Sequence, residues 1–252
     1  MLNYANLFFL CIAGFLAAFV DSIAGGGGLI SVPAFLIAGF NPHYALGTNK
    51  FAATTASFTS SLKFAKSGKV NFKVLKFIIP FTLVGAALGV KTVLLIDQQF
   101  LYPLVMVMVL FVGIYSLFSK TIGLDNKFEK ITPTNITLGI LLGFSIGFYD
   151  GFFGPGTGSF LIFGLIHIFK FDFTNASGNA KFLNFISNIT SLVMFAIEGK
   201  IQYLYGIPIA LFMIVGAQLG TKAALAKGSK LIKPIFVTMS LGVAIKMLIN
   251  ML

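Results

Sequence analysis

The chain alternates long apolar runs with short polar or glycine-rich breaks. Apolar runs occupy about 7–24, 29–40, 45–65, 77–96 and 101–118, and then about 136–149, 159–169, 176–197, 204–226 and 231–252. A helix of ~20 mostly apolar residues crosses the ~30 Å hydrocarbon layer of a bilayer. Backbone in lipid must satisfy its hydrogen bonds within its own segment, so these runs are expected as helices. The runs 29–40 and 159–169 are too short to cross unaided. Each is expected as a half-helix or as one arm of a re-entrant hairpin. The pattern predicts an all-α integral membrane protein with about 8–10 transmembrane or half-membrane helices.

The two sets of runs are related. Gly14, Phe15, Phe19, Asp21, Gly25 and Gly27 recur as Gly143, Phe144, Phe148, Asp150, Gly154 and Gly156, at an offset of 129. Ala45, Gly47, Lys50 and Phe51 recur as Ala176, Gly178, Lys181 and Phe182, at an offset of 131. Gly68-Lys69, Gly85, Gly89, Lys91 and Pro103 have counterparts at Gly199-Lys200, Gly216, Gly220, Lys222 and Pro234. Biased composition alone produces scattered Phe and Gly matches, but rarely ordered Asp, Lys and Pro matches as well. The chain therefore reads as a first membrane repeat at 1–118, a polar linker at 119–135 and a second membrane repeat at 136–252.

Charge placement orients the halves. Lys63, Lys66, Lys69, Lys73 and Lys76 crowd the loop after the third run, and Lys222, Lys227, Lys230 and Lys233 the loop after the ninth. The loops at the equivalent places carry only Lys91 with Asp97 and Glu198 with Lys200. Opposite bias in equivalent loops is the mark of halves inverted in the membrane, lysine-rich loops facing the cytoplasm. If all ten runs cross, the linker with Lys120, Lys127 and Lys130 joins that side and both termini face outward. The first run lacks a basic flank and a small-residue cleavage site, and is expected as a retained span.

Composition agrees. Hydrophobic residues make up 57% of the chain and charged residues 10%, too few to cover a water-soluble surface, which carries roughly 25%. The net charge of +11 comes from lysines gathered between apolar runs, which suits anionic lipid rather than nucleic acid. All the basic residues are Lys, so a bound oxyanion would meet point charges and backbone amides, not guanidinium forks. Cys11 stands alone, and His43 and His167 have no Cys, Asp or Glu around them at metal-ligand spacing. No disulfide, metal or cofactor is expected. The histidines read as loop or interface residues.

The candidate chemistry lies at the breaks. Asp21 and Asp150 end apolar runs, and ionisable residues within spans cost roughly 2.5–3.5 kcal/mol. Asp21 leads into Gly25, Gly26, Gly27 and Gly28, and Asp150 into Gly154, Pro155, Gly156 and Gly158. Two such interruptions at matching places point to a transporter binding site, although small residues also permit close helix packing. Neither break has the lysine or the preceding strand of a nucleotide-binding loop. Gly47-Thr48-Asn49-Lys50 and Gly178-Asn179-Ala180-Lys181 each open an apolar run. Thr48, Asn49 and Asn179 are candidate caps, and a lysine in a first turn opposes the helix dipole. An anion there would be held by the lysine and free helix N–H groups together, with Asp21 or Asp150 placed to neutralise the lysine otherwise. A snorkelling interface lysine is the alternative. Thr54, Ser57 and Ser61, and Asn184, Ser187, Asn188 and Ser191, form polar stripes that line a pathway or bond between helices. Gln218 is a weaker candidate.

At these residues the chain resembles the TauE/SafE family of membrane permeases, the sulfite-exporter family. The matching stretches are 14–33, 45–50, 143–160 and 176–188, with the Gly-Ala-x-Leu-Gly stretches at 85–89 and 216–220. The resemblance implies a bacterial-type inner-membrane protein of about eight spans in two repeats, linked to movement of sulfite, sulfonates and related organosulfur anions. The expected function is secondary transport of a small anion. Its partners are that anion and the lipid bilayer, with self-association left open. Lys50 and Lys181 would attract the anion, with Thr48, Asn49, Asn179, Asn184, Asn188 and the break glycines around it. Asp21 and Asp150 would balance charge or carry a coupling proton. A passive channel or a subunit of a larger complex is the alternative. An intramembrane enzyme would need a nucleophile–base pair or metal set that the runs do not offer.

Overall fold

The computed structural model describes residues 3–101, 103–104, 107–108 and 126–227. The run at 231–252 and nearly all of 101–118 lie outside these residues, as do Lys120, Lys230, Lys233 and Pro234. Among the described residues every regular element is helical: α1 (Tyr4–Ala24), α2 (Gly28–Ile37), α3 (Pro42–Lys66), α4 (Phe72–Leu94), α5 (Pro133–Phe152), α6 (Thr157–Phe169), α7 (Phe173–Ile197) and α8 (Tyr203–Lys227). Five of them, α1, α4, α5, α7 and α8, are long and apolar enough to cross a membrane. The 25-residue α3 is as long as α7 but too polar to qualify. Thr48, Asn49, Lys50, Thr54, Ser57, Ser60 and Ser61 on it are all buried, because α3 packs against α7 and α8 and its polar face meets protein.

Local chemistry sets the helix ends. Side chains of Asn3, Asn41, Asn71 and Asp172 accept hydrogen bonds from the first turns of α1, α3, α4 and α7, and Thr132 with Asn135 forms a capping box ahead of α5. These caps correct the expectation for the two lysine helices. Asn41 with Pro42, and Asp172 with Phe173, start them well before Lys50 and Lys181. Both lysines thus fall in about the third turn, where the helix dipole has faded and no N–H is free. Thr48, Asn49 and Asn179 are interior residues, not caps.

The short helices turn back. Asn6 Nδ2 on α1 donates to the carbonyl of Ala38, just past α2 (3.0 Å). The Lys127 amide, ahead of α5, donates to the carbonyl of Lys170, just past α6 (2.9 Å). So α1–α2 and α5–α6 are hairpins whose outer ends lie on one side each. Helices α3 and α7 run antiparallel through the middle. A Cβ on Gly47 of α3 would strike the Lys200 carbonyl beyond the end of α7, and one on Gly178 of α7 would strike the Lys69 carbonyl beyond the end of α3.

Glycines bring the outer pairs together. Gly85 and Gly89 of α4 lie against the backbone of Phe144 and Phe148 on α5, and Gly216 and Gly220 of α8 against that of Phe15 and Phe19 on α1. Two apolar clusters lie toward opposite ends of α3 and α7. One contains Leu10, Phe35, Leu46, Phe195 and Ile209, the other Phe64, Leu75, Ile78, Leu165 and Phe169. The buried polar residues of α3 and α7 lie between them.

Candidate functional site

Asp21 and Asp150, at the ends of α1 and α5, each meet a lysine far away in sequence. Lys50 Nζ on α3 lies 2.8 Å from Asp150 Oδ2 at the end of α5. Lys181 Nζ on α7 lies 2.5 Å from Asp21 Oδ2 near the end of α1. Lys50 and Lys181 are 3% and 0% exposed and Asp150 is 2% exposed, so neither lysine snorkels. Removing such ions from water costs several kcal/mol each, and one partner alone would be left uncompensated. Lys50 also donates to Asn188 Oδ1 (3.0 Å), the Ser187 hydroxyl donates to Asp150 Oδ2 (2.5 Å), and Asn188 Nδ2 donates to Ser57 Oγ (3.4 Å).

The two breaks touch. The Ser159 amide on α6 donates to the carbonyl of Gly25 (2.9 Å), and the Ser159 hydroxyl donates to the carbonyls of Ala24 and Gly25. Gly25 has φ 74°, and a Cβ on Gly158 would lie 2.6 Å from the Gly25 Cα, so neither place tolerates a side chain. Past this contact Gly27 turns back beside Ala17, its amide donating to Asp21 Oδ1 (3.2 Å). Neither α2 nor α6 has a side-chain cap on its first N–H groups.

A cavity of about 40 Å³ lies at this junction, room for a few waters or one small ion, since a single water needs about 10–15 Å³. Its polar wall is Asp21, Ser31, Asn49, Lys50, Asp150, Asn184 and Asn188, with Gly27 and Gly28 from the start of α2 and Gly154, Gly156, Thr157 and Gly158 from the break and start of α6. Ala17, Ala18, Ala53, Ala56 and Met213 supply the apolar remainder. Asn49 Oδ1 is buried without a hydrogen-bond partner.

Residues 10–247 match the family described as Sulfite exporter TauE/SafE. The chain belongs to the TauE/SafE family. It is 38% identical over 247 residues to "Probable membrane transporter protein ORF9" of Sinorhizobium sp, covering 98% of this chain and 94% of the relative. It is 37% identical to a "Probable membrane transporter protein" of Haemophilus influenzae, covering 93% and 91%. It is 34% identical to "Probable membrane transporter protein YfcA" of Escherichia coli K12, covering 96% and 88%. No solved structure matches the chain. With five long apolar helices among its described residues, this TauE/SafE protein is a multi-pass membrane protein of a transporter family.

Of the residues singled out by sequence, the TauE/SafE fold brings Asp21, Gly27, Asn49, Lys50, Asp150, Gly154, Gly156, Gly158, Asn184 and Asn188 to one cavity. Gly25 and Gly26 form the turn behind it, where Gly26 accepts from the Leu29 amide. Thr48 and Asn179 sit elsewhere. The Thr48 hydroxyl accepts from the Gln202 amide (3.0 Å), and Asn179 Oδ1 accepts from the Asn71 amide (2.9 Å), each side chain tying a loop of the other half. Lys181 does not line the cavity. His43 is buried, its Nε2 3.1 Å from the Val93 carbonyl, and His167 is exposed at the end of α6. Gln218 is exposed on α8, and its carbonyl accepts from Lys63 Nζ. Sequence reasoning gave Ser187 no role with Asp150, although it lay in the polar stripe. Gly28 was part of the first break but was given no site role, and Ser31, Thr157 and the apolar wall, which carries no polar signal, were not singled out.

Proposed function

We propose that this protein is a secondary transporter of a small anion, such as sulfite, a sulfonate or another organosulfur anion, acting in the cell inner membrane. The observation that carries this reading is a buried ammonium, Lys50, on a cavity lined also by the starts of two short helices whose N-cap glycines supply no side-chain cap, with Gly28 and Gly158 in the wall. Helix N-termini favour anions through unpaired N–H groups and the dipole. The anion would sit between Lys50, the carboxamides of Asn49, Asn184 and Asn188, and the amides at the starts of α2 and α6. The helix starts that face the cavity are those of the short helices α2 and α6, not those of α3 and α7.

The same geometry supports charge coupling. An anion that pairs with a lysine leaves its aspartate without a cation, and a proton on that carboxylate removes the cost of an uncompensated buried charge. Uptake of the anion would then draw a proton with it. The cross-half ion pairs and the matched loop ties (Thr48 with Gln202, Asn179 with Asn71) support two homologous halves, 1–118 and 136–252, joined by the linker at 119–135. The opposite charge bias of their loops supports inversion.

Purified protein screened by thermal shift against sulfite, sulfate, thiosulfate, sulfoacetate and taurine should melt higher with at least one, since a ligand bound only by the folded state stabilises it. In proteoliposomes its flux should saturate and respond to a pH gradient, and Lys50→Ala should abolish it while the protein still inserts. Absence of any shift across the panel, or full flux by Lys50→Ala, ends this reading.

A further inference from the structure

The two ion pairs occupy equivalent places but are not equivalently surrounded. Lys50 lines the cavity and has oxygen partners from two helices, Asp150 on α5 and Asn188 on α7. Two cavity-facing carboxamides accompany it, Asn49 and Asn184. At the sequence offset of 131 the counterparts of Asn49 and Asn184 are Ala180 and Ala53, so the equivalent positions around Lys181 carry alanine where those around Lys50 carry neutral donors. Lys181 is wholly buried off the cavity, and its ammonium donates to Asp21. Asp21 in turn receives the Gly27 amide at the start of α2.

We propose that the anion engages Lys50 alone, and that Lys181 is a positioning residue that acts through Asp21 to hold the start of α2 in place. This deepens the proposed function and rests on it. On this assignment one anion binds per chain. Asp150 is the carboxylate it displaces, and Asp21 keeps its contact with Lys181. The coupling proton passes from water on the entry side to an Asp150 oxygen and leaves with the anion on the other side. The groups facing Asp150 are consistent with that single role. Lys50 comes from α3, the Ser187 hydroxyl and Asn188 from α7, and Asp21 of α1 lines the same cavity. Tyr149, beside Asp150 on α5, directs its hydroxyl to the Pro155 carbonyl (2.6 Å).

The test uses whole chains with each charge pair removed together, which avoids stranding one buried ion. Sulfite and sulfoacetate affinities are measured for the wild type, K50M/D150N and K181M/D21N, where the carboxamide introduced at position 21 keeps an oxygen for the Gly27 amide. Proteoliposome flux gives KM and maximal rate separately. K50M/D150N should lose affinity by at least about tenfold. K181M/D21N should keep its dissociation constant within about twofold while its maximal rate falls, because the start of α2 is less well held. Equal loss of affinity in both double variants overturns the assignment and leaves the proposed function standing. Wild-type protein that binds neither anion, nor any other of the panel, overturns both. If K181M/D21N does not fold, Lys181→Arg, which keeps the charge, decides: a tenfold weaker affinity overturns the assignment, and an unchanged one with a lower rate supports it.

Discussion

At the scale of single residues, the cavity wall contains a buried side-chain acceptor that the fold leaves unpaired. Asn49 Oδ1 is buried with no partner, and an unsatisfied buried acceptor costs about 1–3 kcal/mol. A group kept at that cost for packing alone would be better replaced by an apolar one. Asn49→Ala should therefore leave thermal stability unchanged or raise it, while removal of its Nδ2 donor should weaken anion affinity by about fivefold, the worth of roughly one hydrogen bond. Melting temperature and titration of the same purified variant separate the two effects. The charge partner gives a second measurement. Asp150→Asn retains an oxygen for the Ser187 hydroxyl and for Lys50, but cannot take up a proton. Its flux should lose its response to a pH gradient, whereas anion exchange without a gradient persists. Flux that still follows the gradient would remove Asp150 from the coupling step.

At the scale of elements, the central helices depend on glycines whose role is steric. In a helix interior Ala is favoured over Gly by about 1 kcal/mol, so propensity alone predicts that Gly47→Ala and Gly178→Ala stabilise. Each new Cβ, however, would strike a backbone carbonyl of the opposite half, Lys200 and Lys69 respectively, and a carbonyl cannot swing away as a side-chain tip can. Overpacking of this kind costs about 1–3 kcal/mol, so both substitutions should lower stability in detergent by similar amounts. Gly39 is the contrast, with φ 84° and open space around a built Cβ. Gly39→Ala should cost only the left-handed backbone penalty, about 1–2 kcal/mol. The glycines, the aspartates that precede the breaks and the paired lysines were all legible in the sequence, because their spacing repeats. The helix starts were legible but misplaced. Asn41-Pro42 and Asp172-Phe173 are ordinary start signals, overlooked because the apolar runs were counted from Ala45 and Ala176. The exchange of partners, Lys50 with Asp150 and Lys181 with Asp21, was not legible, since it depends on α3 and α7 crossing antiparallel. Nor were Ala17, Ala18, Ala53, Ala56 and Met213, whose part in the wall is a matter of shape.

At the scale of the whole molecule, the hairpins bear on orientation. A hairpin that leaves from and returns to one side adds an even number of crossings. The side assigned to each later loop is therefore the same as when every run crosses. Helices α3 and α8 end, and α4 and α7 begin, on the side that carries Lys63, Lys66, Lys69, Lys73, Lys76, Lys170 and Lys222. The opposite side holds Lys91, Asp97, Glu198 and Lys200. Because cytoplasmic loops gather the excess of lysine, the first side is expected to face the cytoplasm. Cys11 is the single cysteine and is buried, which permits single-cysteine labelling with little background. Lys69→Cys and Lys127→Cys should react with a membrane-impermeant maleimide in inside-out vesicles and be shielded in intact spheroplasts, and Lys200→Cys should do the reverse. Lys69 and Lys200 are counterparts at the sequence offset of 131, so their labelling from opposite faces would also establish the inversion that loop charge implies. Labelling of both from the same face would mean parallel halves, and the lysine bias would then need another cause.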